Sequence, residues 1–157
     1  MVTVTPNDTM QQVMTDPAVE ATLPMVAAMA GLTQEMTTRI VVAGLPLMAN
    51  VANGDPWVFK AMYAQSLKPL PAMTAEVYAK QGKSAPARRA MAADFTRIYG
   101  EQAESINRDA AGATSTTEEQ AGQVLAAMMP ALVRALRQAN VNANEMGFWR
   151  HLRNLNA

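Results

Sequence analysis

Runs of strand-forming residues are almost absent from this chain beyond Val2 to Thr5, while alanine is its commonest residue and methionine occurs 13 times. Helix propensity therefore dominates nearly every window, and no β-sheet is expected. The punctuation agrees. Thr5-Pro6, Asp16-Pro17 and Asp55-Pro56 each set a small polar residue before a proline, and Ala85-Pro86 follows Ser84. A side-chain acceptor followed by a residue without an N–H suits the first turn of a helix. Gly31, Asn53-Gly54, Gly82 and Gly112 read as helix ends, because they tolerate the left-handed conformation after a last turn. The spacing predicts helices over 6–14, 17–30, 34–53, 56–67, 71–81, 86–110, 117–138 and 144–155, with Pro24 shortening or bending the second. The expected fold class is all-α, an irregular multihelical array with two proline-kinked core helices.

The chain has 157 residues, enough for one domain over 1–157 or for two small ones on a shared core. Half of the residues are apolar and 17% are charged, which excludes a disordered chain. The 13 Lys and Arg balance the 13 Asp and Glu, so no global field draws the protein to nucleic acid or an anionic membrane. Without cysteine there is no disulfide scaffold, thiolate zinc site or thiol nucleophile. The longest uncharged apolar stretch, between Arg39 and Asp55, has fifteen residues, short of the roughly 20 that span a bilayer. Met1 to Asp16 carry no basic cluster followed by an apolar stretch, so a cytoplasmic location is expected.

The helix over 86–110 is amphipathic, with Met91, Phe95, Ile98, Tyr99 and Ile106 on one face. Arg97 with Glu101, and Glu104 with Arg108, stand four residues apart on the other. The helix over 34–53 is apolar all round from Ile40 to Ala52 apart from Asn50, and is expected to be the central, fully buried element.

Laying Thr33 on Thr117 also aligns Glu35 with Glu119, Ala43 with Ala127 and Pro46 with Pro130, with apolar residues paired between them. A proline inside a helix removes a backbone hydrogen bond and crowds the preceding turn, at about 3 kcal/mol or the cost of a bend. Two matching prolines point to similar halves, at about 17–55 and 86–138, with a shared packing need. The alternative is two unrelated kinked helices in an alanine-rich chain. Within the second half, Gly100, Ala103, Ile106, Gly112, Thr114, Ala121, Leu125, Pro130 and Leu136 form a pattern that resembles the YidB-like proteins, a bacterial family of domains with no assigned function. In that family a glycine turn and a Thr or Ser start lead into a helix with Leu-Pro at its middle. The resemblance covers Phe95 to Leu136, and more faintly Gly31 to Asn53. This chain departs from it in reading Met129-Pro130, and in having Gln138 to Asn142 where the family has a turn with Pro and Gly. The resemblance implies an irregular helical array and brings no catalytic residues.

Candidate sites are few. His151, in Trp149-Arg150-His151-Leu152-Arg153, has no acidic or histidine partner at helical spacing, and reads as a surface residue at a helix end. Glu101 and Glu104 suit ion pairs. Glu118 and Glu119 suit a helix start, with Thr116-x-x-Glu119 as its capping box. Gly82-Lys83-Ser84 ends like a phosphate loop, but Val77 stands where the earlier glycine belongs. Ala27 to Ile40 reads like the turn and second helix of a helix-turn-helix, which would set Gln34, Thr38 and Arg39 toward nucleic acid. Against that, residues 1–59 hold one basic residue and five acids. Residues 60–100 hold seven basic residues against Glu76 and Asp94, a block that suits an acidic partner or the acidic N-terminal third. Met36, Met48, Met91 and Met128 sit at core spacing, though methionines also line adaptable grooves. Trp57, Phe59 and Tyr63 on one side and Phe148 and Trp149 on the other either pack together or form an interaction patch through Trp57, Phe59 and Trp149.

The expectation is a non-enzymatic helical protein without cofactor or metal, acting through contacts with another protein or with itself. The alternatives are a nucleic-acid-binding regulator using Gln34, Thr38 and Arg39, and a carrier of a small apolar ligand.

Overall fold

A computed structural model describes residues 6–70, 76–78, 80, 85–138 and 145–155. All regular structure among them is helical: α1 (Pro6–Met14), α2 (Pro17–Ala30), α3 (Gln34–Gly54), α4 (Pro56–Ser66), α5 (Ala85–Tyr99), α6 (Gln102–Thr114), α7 (Glu118–Gln138) and α8 (Glu145–Asn154). Val2 to Thr5 and Gly82 to Ser84 lie outside the described residues, as does most of the helix expected over 71–81, of which 76–78 and 80 are helical.

Local chemistry sets the helix starts. Asp16 accepts the N–H groups of Ala18 at 2.9 Å and Val19 at 3.4 Å, and Asp55 does the same for Trp57 at 2.9 Å and Val58 at 3.4 Å. Pro17 and Pro56 follow them as first-turn residues, and α2 runs on through Pro24 to Ala30. Thr33 caps α3 by accepting from Met36 at 3.1 Å. The cap of α7 lies one residue beyond the expected box. Gln120 donates its N–H to Thr117 at 3.0 Å, and the Gln120 side chain accepts from the Thr117 N–H at 3.1 Å. Thr116 instead shares a hydrogen bond with Thr114 at 2.8 Å.

Two expected helix boundaries need correction. The helix over 86–110 is broken at Gly100, whose φ of 55° ends α5, and α6 starts two residues later. The break takes Arg97 away from Glu101, and its guanidinium meets Asp94 at 3.4 Å instead. Gly112 does not end a helix; α6 continues to Thr114 and closes on Ser115, at φ 57° and ψ 37°. Ser115 does there what Gly31 does for α2, at φ 70° and ψ 31°.

The two long helices, α3 and α7, carry Pro46 and Pro130 in their interiors, as expected. They meet where a Cβ on Gly44 would lie 2.5 Å from a Leu125 methyl, so only glycine allows that approach as the leucine stands. The short helices then cross over. α2 packs chiefly on α7 and α6 on α3, while α4 leans on α7 and α8 on α3. One continuous apolar cluster draws on every described helix.

The register that lays Thr33 on Thr117 holds for burial as well. Thr37, Ile40, Val41, Gly44, Leu45, Met48, Ala49 and Ala52 are buried on α3, and each corresponds to a buried residue of α7, from Ala121 to Leu136. α7 buries four more, Ala126, Ala127, Ala131 and Ala135. Their counterparts on α3 are Val42, which is exposed, and Ala43, Leu47 and Val51, which are half-buried. The central element is therefore α7, which touches every other described helix and buries more of its length than α3, although its Glu118, Glu119 and Gln138 are exposed. Apolar composition alone does not distinguish them, since α3 carries larger apolar side chains on its open face than α7 does on its covered one.

Candidate docking groove between α4 and α8

The aromatic residues of α4 and α8 divide between packing and exposure. Phe59 and Tyr63 close on the buried ring of Phe148, with centroids 5.8 and 5.6 Å away. That contact ties α4 to α8, and a hydrogen bond of 3.4 Å from the Asn53 side-chain amide to the Leu152 carbonyl ties the end of α3 to α8 as well. With Phe148 and Leu152 turned inward, helical spacing turns Met146 and Trp149 outward, at 62% and 38% exposure. The result is an open groove of about 610 Å³, lined by Ala52, Asn53, Pro56, Phe59, Glu145, Met146 and Trp149. The guanidinium of Arg153 lies 4.6 Å over the Trp149 ring, a cation–π contact at the rim. Of the three residues expected to form an apolar patch, Phe59 and Trp149 line this groove. Trp57 stands outside it, 56% exposed.

The histidine of α8 is not the surface residue its position suggests. His151 is buried, and its Nδ1 lies 3.2 Å from the Thr9 hydroxyl of α1. Burial lowers its pKa from the ordinary 6.5, and the neighbouring Arg150 charge pushes the same way. One imidazole thus joins the first helix to the last. The sequence signal for it was present but weak, since His151 follows the buried Phe148 by three residues.

The helix-turn-helix reading places its side chains on the first turns of α3. Gln34 and Arg39 are exposed and Thr38 is half-buried. Thr38 donates its hydroxyl to the Gln34 carbonyl at 2.9 Å, and Arg39 pairs with Glu35 at 2.7 Å. Arg39 and Thr38 also line a groove of about 420 Å³ between α3 and the end of α6. Lys60, Lys68, Lys80, Arg89 and Arg97 of the basic block are exposed; Lys83 and the side chain of Arg88 lie outside the described residues.

Met48, Met62, Met128 and Met129 are buried in the core, and Met10, Met14, Met25 and Met29 pack half-buried against it, whereas Met36 is half-buried beside Arg39. The side chain of Met91 lies outside the described residues. No cluster of three His, Asp or Glu side chains that could hold a metal occurs among the described residues. No helix among them is long and apolar enough to cross a membrane. Comparison with protein families, with curated proteins and with solved structures finds no match to this chain.

Proposed function

We propose that the protein is a non-catalytic helical module that works by self-association, with the groove between α4 and α8 as its contact surface and a second copy of the chain as its occupant. The observation that carries this reading is the make-up of that corner. Trp149 and Met146 expose large apolar groups in a groove that also holds Glu145, and Arg153 lies over Trp149. With an anion and a cation both on α8, a twofold axis can bring each Glu145 to the other copy's Arg153. Tryptophan and methionine are both enriched at interface cores, and tryptophan is among the residues that dominate binding energy there. The balance of 13 positive and 13 negative groups leaves no net repulsion between copies.

Sedimentation velocity across a concentration series tests this. The wild-type chain is expected to pass from monomer to dimer, and Met146→Lys and Trp149→Glu to remain monomeric with unchanged helicity. A wild-type protein that stays monomeric throughout overturns the reading. A gel shift with duplex DNA addresses the alternative through Gln34, Thr38 and Arg39: tight binding that falls steeply with added salt would put a nucleic-acid regulator in its place.

A further inference from the structure

The pocket where α2, α5, α6 and α7 meet holds polar groups that the fold itself leaves unused. Its volume is about 330 Å³, at the small end of the range for ligand sites, which suits a small molecule. Two helix faces flank it. Arg89, Ala92 and Thr96 follow one another about a turn apart along α5, as Glu119, Gly122 and Ala126 do along α7. Arg89 and Glu119 are exposed, whereas Phe95 and Ala126 are buried and Ala92 and Met29 half-buried, so the pocket is charged at its rim and apolar below. Asn107 of α6 also lines it and lies against α7, where a Cβ on Gly122 would stand 3.0 Å from the Asn107 amide nitrogen. Because Gly122 follows Glu119 by one turn, the Asn107 amide and the Glu119 carboxylate are neighbours on one wall. The Asn107 side-chain oxygen is buried and accepts no hydrogen bond, a cost that folds seldom leave uncompensated. On the facing wall, Arg89 has no ion-pair partner among the described residues. Glu119 can take a further donor whatever else it holds, since a carboxylate has about four acceptor sites.

We propose that this pocket binds a small amino acid with an apolar side chain. The ammonium group of the ligand donates to Asn107 and Glu119, its carboxylate meets the guanidinium of Arg89, and its side chain rests on Ala92, Phe95 and Met29. A plain anion would face Glu119, and a plain amine would leave Arg89 unanswered. Only a molecule with both charges complements both walls. The pocket shares no lining residue with the groove between α4 and α8, so this site is independent of the self-association surface.

Isothermal titration calorimetry on the full-length chain at neutral pH tests this with L-leucine as the probe. L-Leucinamide, which lacks the carboxylate, and N-acetyl-L-leucine, which lacks the ammonium group, serve as comparisons. L-Leucine is expected to bind saturably, and each analogue about tenfold more weakly or worse. Arg89→Gln should weaken L-leucine about tenfold and leave L-leucinamide unchanged, because the amide has no carboxylate to lose. Glu119→Gln should likewise weaken L-leucine and spare N-acetyl-L-leucine. Gly122→Ala, which suits a helix interior but crowds the Asn107 amide, should weaken L-leucine several-fold with helicity retained. Met146→Lys, at the α4/α8 corner, should leave binding unchanged, so this inference and the self-association reading can fail separately. Absent binding of L-leucine at millimolar concentration overturns the proposal, as does an equal loss of L-leucine and L-leucinamide in Arg89→Gln. Tighter binding of N-acetyl-L-leucine than of L-leucine would assign the pocket to a plain carboxylate and also overturn it.

Discussion

The α2–α3 and α6–α7 hairpins use the same local devices toward different ends. Each is a short helix closed by a left-handed residue, followed by a threonine cap and a long helix with proline in its interior. Eight positions on each long helix face the common core. The difference lies on the adjoining face, where α7 has alanines under other helices and α3 has Val42 toward solvent and Leu47 only half-buried. Small residues permit close helix approach, and larger ones left uncovered keep apolar surface in contact with water. Similar hairpins thus become a centre and a flank according to what the rest of the chain lays over them.

The sharpest way to break this comparison is through the shared face. Leu132 of α7 corresponds to Met48 of α3, and both are fully buried. Leu132→Ala and Met48→Ala should each cost about 2–5 kcal/mol in urea unfolding. A cost near zero for Met48→Ala would show that α3 is not part of the same core. The adjoining face should respond unequally. Ala135→Leu overpacks a residue that is 2% exposed, at about 1–3 kcal/mol. Val42→Ala should stay within about 0.5 kcal/mol, as surface changes do; equal costs would remove the contrast between centre and flank.

The helix ends give smaller effects of opposite sign. Ser115 holds a φ of 57°, a conformation that costs a side-chain-bearing residue about 1–2 kcal/mol. Ser115→Gly should therefore stabilise by about 1 kcal/mol, and Gly31→Ala, at a φ of 70°, should destabilise by a similar amount, both read from thermal unfolding. The smallest expected effect is in pH. Burial lowers the pKa of His151 from its ordinary 6.5, so the unfolded chain binds the proton more readily than the folded one. Its contribution is complete above about pH 6.5 and is lost as pH falls below that value toward the lowered one. His151→Gln should flatten that part of the stability profile; an unchanged slope would mean that the imidazole is not the group responsible.

Much of this architecture is legible in the residues because its causes are local. Asp16, Thr33 and Asp55 stop the chain where their side chains can take up free N–H groups, and the echo between Thr33 and Thr117 marks two hairpins that correspond in length and in buried face. The misread elements are those in which competing local choices were close. Gly100 interrupts an amphipathic run whose spacing continues past it, and at the end of α6 a serine, not the nearby Gly112, takes the left-handed position. For the candidate sites, composition pointed to Phe59 and Trp149 as aromatic groups with an exposed option, but their shared groove needed α4 and α8 to be placed side by side.

What the amino-acid order determined by itself was a set of helices, their caps and the positions of their prolines, because each depends on residues within a turn or two of one another. Which long helix became the centre, that His151 would be buried against Thr9, and that Val42 would face solvent were decided by tertiary structure alone. A helix with apolar residues on several faces has more than one way to be covered, and only the other helices choose among them.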